Sequence, residues 1–73
     1  MKHLALRFQI ACRLEGCGAL LRFARQHDVN PTNLLHAAAG RRPLPWRMRV
    51  SMEAYIRRQF RKHAAVLRLE DGA

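Results

Sequence analysis

Apolar residues run along this chain in four blocks, separated by turn-forming residues. Gly16 and Gly18 follow the first block, Asp28-Val29-Asn30-Pro31 the second, and the stretch from Gly40 to Pro45 the third. In the first block Leu4, Leu6, Phe8, Ile10, Cys12 and Leu14 alternate strictly, as a half-buried strand would. The same residues hold a second pattern. Leu4, Phe8, Ala11 and Cys12 make a helical stripe, and most of the intervening Ala, Leu, Arg and Gln are good helix formers. Helix is the reading for Leu4 to Leu14, with strand as its competitor.

The second block, Cys17 to His27, places Leu20, Leu21, Phe23 and Ala24 at helical spacing and leaves Arg22, Arg25 and Gln26 for the opposite side. Val29 then stands alone as an apolar plug ahead of a polar turn. The third block has the clearest punctuation. Asn30 is a favoured N-cap, Pro31 follows at the first helical position where its missing donor costs nothing, and Gly40 suits the left-handed residue that closes a helix. A short helix from Pro31 to Ala39 is expected. The fourth block opens at Pro45, and Met48, Met52, Tyr55, Ile56, Phe60, Val66 and Leu67 recur near heptad spacing. They predict a long helix from Pro45 to about Leu69, bent near Ser51, with a frayed tail from Glu70 to Ala73. Trp46, at its start, is expected to plug the core. The fold class is all-α, a small bundle of four to five helices.

With 73 residues the chain has material for a single domain spanning 1–73. A helix as long as the fourth overhangs so small a core, so its distal part is expected to find cover in a second copy. Residues 60–73 are then a dimerisation helix and tail.

Charge adds the first functional information. Fourteen Lys and Arg against five Asp and Glu give a formal charge of +9, a field that draws polyanions. Lysine occurs only at Lys2 and Lys62, and the planar fork of arginine suits both phosphates and guanine edges. On a wheel of the third helix, Leu34, Leu35, Ala37 and Ala38 fall to one side and Thr32, Asn33 and His36 to the other. Small hydrogen-bonding side chains near a helix N-terminus are what a major-groove reader needs, so these three are the expected base contacts. Asn30 at the polarised helix end, Arg41 and Arg42 just beyond it, and Arg22 and Arg47 on the neighbouring helices are the expected contacts to the DNA backbone.

The run from Leu20 to Ala39, LLRFARQHDVNPTNLLHAAA, resembles the twenty-residue helix-turn-helix of the Cro and phage-repressor superfamily. Ala24, Val29 and Leu34 stand at its small, buried and anchoring positions. The trailing Gly40-Arg41-Arg42-Pro43-Leu44-Pro45 is similar to the loop of Cro-like and YdaS-like regulators that leads into the next helix. Over roughly residues 4–60 the resemblance implies a lambda-repressor-like domain of four or five helices that represses transcription from an operator in double-stranded DNA, of phage or mobile-element type. Two positions depart from the pattern. Asp28 stands where glycine is usual in the turn, and His27 where an apolar residue is usual and could loosen the packing of the two helices.

Other chemistry finds less support. The pairs formed by His3, His27, His36, His63, Cys12 and Cys17 lack the spacing of a zinc knuckle or finger. Cys12 and Cys17 are expected as buried thiols between the first two helices and not as a disulfide. Ser51 has no base beside it and the acidic residues are scattered, so no catalytic site, cofactor or small-molecule substrate is expected. Arginine interrupts every apolar segment before it reaches the ~18–20 residues of a membrane span, and no secretory leader opens the chain. A cytoplasmic location is the expectation. The alternative function is a small inhibitor or adaptor that binds a host protein and keeps the helix-turn-helix as scaffold. Non-specific packaging or RNA binding comes third, because the aromatic residues lie mostly on apolar stripes and not among exposed arginines.

Overall fold

In the first block the 3.6-residue stripe prevails over the two-residue alternation. Residues 4–15 form helix α1 (Leu4–Glu15), which buries Leu4, Phe8, Ala11 and Cys12 and leaves Leu6 56% exposed. A strand would have put Leu6 and Phe8 on one face. The structure, a computed structural model, describes residues 3–65. After α1 come α2 (Ala19–Gln26), α3 (Pro31–Ala38) and α4 (Trp46–Lys62), with no strand among the described residues. The described residues form an all-α bundle of four helices.

The ends of α2 and α3 explain how the middle of the chain is cut. Beyond α2, Asp28 adopts φ 55°; its N–H donates to the Arg25 carbonyl at 3.2 Å and the Val29 N–H donates to the Ala24 carbonyl at 2.9 Å. Beyond α3, Gly40 adopts φ 87°, with its N–H on Ala37 O at 3.1 Å and the Arg41 N–H on His36 O at 2.9 Å. Both are the paired hydrogen bonds of a Schellman stop, which satisfy carbonyls that the helix itself leaves open. Asp is among the residues that tolerate the left-handed region, and here it takes the place glycine usually holds in the turn. His27 does not stand apart from the packing: it is half-buried and lays its ring on Phe23, centroids 4.5 Å apart.

The core sits where α1, α2 and α4 converge. Phe8, Phe23 and Tyr55, one from each helix, form a mutual aromatic cluster with centroid separations of 4.9, 5.6 and 5.3 Å. Met52 and Ile56 are fully buried beside them, and Val29, Leu35, Met48 and Phe60 pack on the periphery. Each buried aromatic removes a large apolar surface from water and gains edge-on contacts as well. Arg7 on α1 ties α4 from outside with two parallel bonds to Glu53, 2.9 and 3.2 Å long.

Three expectations are corrected. Trp46 does not plug the core; it is 74% exposed. With the buried face of α4 set by Met52, Tyr55, Ile56 and Gln59, a residue six positions before Met52 lies about 120° around the helix, outside the packed arc. Cys17 is exposed, unlike buried Cys12, because α2 starts two residues later than expected and Cys17 falls between Gly16 and Gly18 in the turn. Helix α4 also begins at Trp46, with Pro45 as its N-cap, and continues without a break through Ser51. The expected helical stretch from Val66 to Leu69, and most of the dimerisation segment 60–73, lie outside the described residues.

Candidate nucleic-acid interface

Helix α3 is short, so its first turn decides whether it holds. The Asn30 side-chain oxygen accepts the Thr32 N–H at 2.8 Å and the Asn33 N–H at 3.2 Å, and Pro31 pre-sets the backbone at the first position. Such a cap contributes on the order of 1 kcal/mol. Leu34 and Ala38 bury one side of the helix against the core. Thr32 and Asn33 are exposed on the side turned away from it, while His36 is half-buried, its Nδ1 lying 3.5 Å from Nη1 of Arg41. The open ridge of α3 therefore carries two of the expected base-reading residues freely and a third braced by an arginine.

The expected backbone contacts divide. Arg41, Arg42 and Arg47 are exposed, and among the described residues no carboxylate pairs with them. Asn30 uses its oxygen for the cap, which leaves its amide nitrogen as the group that can donate outward. Arg22 is engaged elsewhere. It donates to the Cys17 carbonyl at 3.2 Å and lies 3.4 Å from Glu15, so it ties the turn between α1 and α2 to the end of α1. It stays exposed, and these contacts compete with a phosphate for its guanidinium.

Carboxylates near the bundle seam serve the fold. The hydroxyl of Tyr55 donates to Glu15, and that hydrogen bond holds the Glu15 carboxyl below its ordinary range. Bonds from Arg7 do the same for Glu53. Burial, followed by the bond to Glu15, pushes the Tyr55 phenol far above its usual value, and burial likewise raises the Cys12 thiol. With Glu15 and Glu53 neutralised by arginines, the exposed arginines dominate the outer charge.

Three grooves border α3, one of about 380 Å³ at its N-terminal end between Arg25, Asp28, Asn30 and Pro31. Another, about 170 Å³, lies between its Asn33 and Ala37 side and the segment from Arg42 to Met48. The largest of the three, about 590 Å³ and mainly apolar, runs between α1 and α2 and is lined by Phe8, Cys12, Leu20, Leu21 and Leu35. No group of three or more His, Cys, Asp or Glu side chains is placed to hold a metal ion among the described residues. None of their helices is long and apolar enough to cross a membrane.

Sequence reasoning missed Trp46 as a surface residue. The signal was available in the phase of α4: a wheel anchored on Met52, Tyr55 and Ile56, and not on Met48 alone, turns Trp46 and Val50 outward. Comparison with protein-family models, with curated proteins and with solved structures returns no match for this chain.

Proposed function

We propose that the chain is a sequence-specific DNA-binding regulator that docks α3 in the major groove, in the manner of the repressors its helix-turn-helix resembles. The observation that carries this reading is the exposed ridge of a capped helix, with Thr32 and Asn33 open to solvent and Arg41 and Arg42 following directly at its far end. Thr32, Asn33 and His36 read base edges; Arg41, Arg42, Arg47 and the Asn30 amide grip phosphates. Two copies would meet paired half-sites about one helical turn apart, as twofold regulators do.

Selection of bound sequences from randomised duplexes at physiological salt tests the assignment, and an enriched inverted repeat is the expected result. Thr32→Ala or Asn33→Ala should relax discrimination between the enriched site and random DNA by ~1–3 kcal/mol. Arg41→Ala or Arg42→Ala should weaken both alike and flatten the salt slope by about one unit. Absence of any enriched sequence would discard the reading.

A second reading, an adaptor for a protein partner, draws on the apolar groove between α1 and α2, where Leu21 stands 57% exposed. A stoichiometric protein complex that survives Asn33→Ala and is lost with Leu21→Asp would favour it.

A further inference from the structure

The loop that carries Arg41 and Arg42 delivers the chain into α4 through a side chain that water disfavours. Trp46 is 74% exposed, and Val50, one turn further along the same side, is 44% exposed. Neighbouring large apolar residues on one helix face call for a cover. The surroundings are cationic. Arg47 follows Trp46 directly, Arg49 lies three positions on, Arg57 continues the strip, and Glu53, the carboxylate on this side among the described residues, is bonded twice by Arg7. Among the described residues no carboxylate pairs with Arg42 or Arg47, and Arg49 faces Glu53 only at longer range, behind its bonds to Arg7. A second copy of a chain carrying +9 would set like charges against each other across this patch. A polyanion with apolar surface of its own fits it.

Position favours one such polyanion. Pro45 and Met48, on either side of Trp46, line the same groove as Asn33 and Arg42, so the Trp46 backbone lies beside the groove that borders α3, while its side chain leaves α4 on the outward side that Val50 shares. We infer that Trp46 is itself a contact to duplex DNA, an apolar wedge against the sugars and base edges of the minor groove that adjoins the segment read by α3. This rests on the DNA-binding reading above. Arg42 and Arg47 hold the phosphates on either side while the indole takes the part no arginine can: it excludes water and presses on a base step.

Trp46 is the chain's only tryptophan, so intrinsic fluorescence reports it alone. The full chain is titrated with the duplex enriched by selection, occupancy being followed independently by the anisotropy of a dye on the DNA. The expected result is that acrylamide quenching of Trp46 falls severalfold at saturating duplex. Trp46→Ala should weaken binding about fivefold or more, and Trp46→Phe should recover most of that loss. Because the ring is exposed, both variants should unfold at the wild-type urea midpoint.

The failures separate. A chain that binds no duplex overturns the DNA reading and this contact together. A chain that binds normally while Trp46 stays as open to acrylamide as before overturns the contact alone. Protection that grows with protein concentration in the absence of DNA assigns the patch to a second copy and overturns the contact as well.

Discussion

The ends of α2 and α3 share one hydrogen-bond geometry and put it to opposite uses. After Asp28 the next residue, Val29, packs against the core, and the turn pins α3 to the body of the bundle. After Gly40 the next residue, Arg41, stands in solvent and braces His36. The same backbone stop thus aims one side chain inward for stability and another outward for binding. The left-handed residue sets where the helix stops, and the residue after it sets what the stop is for.

The strongest way to break this contrast is to send a charge inward. Val29→Asp should cost about 2–3 kcal/mol, since an uncompensated carboxylate would be pushed toward apolar neighbours. Urea unfolding checks it, and a loss below half a kilocalorie would mean that Val29 does not pin the turn. Next comes Gly40→Val. Nothing lies within 4 Å of an added Cβ there, so only the backbone term remains, a loss of about 1–2 kcal/mol. Duplex affinity should fall with it as the last turn of α3 loosens.

A comparable effect comes from pH, outside both ends. Glu53 is held below its ordinary value by Arg7, so its contribution is present above the unfolded carboxylate value near ~4.3 and is lost as pH falls through the folded one. Arg7→Gln should lower neutral-pH stability by about 1 kcal/mol and make the acid limb of the stability curve shallower. An unchanged limb would show that the Arg7 and Glu53 pair does not set it. Asp28→Gly is smaller and opposite in sign, a gain of ~0.5–1 kcal/mol from relief of the left-handed backbone less the entropy of glycine. Smallest of all, Arg42→Ala should leave the urea midpoint within ~0.5 kcal/mol of wild type while lowering duplex affinity; a large stability change would place Arg42 in the fold and not on its surface.

Much of this architecture was legible because local and global signals agreed. Asn30, Pro31 and Gly40 mark α3 to within a residue of its observed end, since caps are read from single side chains. Leu4, Phe8, Ala11 and Cys12 identified the buried side of α1 even against a competing alternation, because the residues between them are mostly good helix formers. Trp46 and Cys17 were misjudged for a shared reason. Each sits at an element's edge, where residue type says little and the phase of the neighbouring helix decides exposure. Arg22 shows a different limit: its engagement with Glu15 spans a turn whose shape depends on Gly16 and Gly18 together, and spacing alone does not reveal it. For the candidate interface, the ridge of Thr32 and Asn33 was readable from a wheel, whereas the arginine that would grip a phosphate and the one that locks a turn look alike in a sequence.

The two thiols differ in degree, one standing in solvent and the other largely covered, its proton held by burial, on the wall of the groove between α1 and α2. An alkylating reagent will therefore take Cys17 first and Cys12 more slowly. A small reagent that enters the groove should narrow that gap, and a bulky one should widen it.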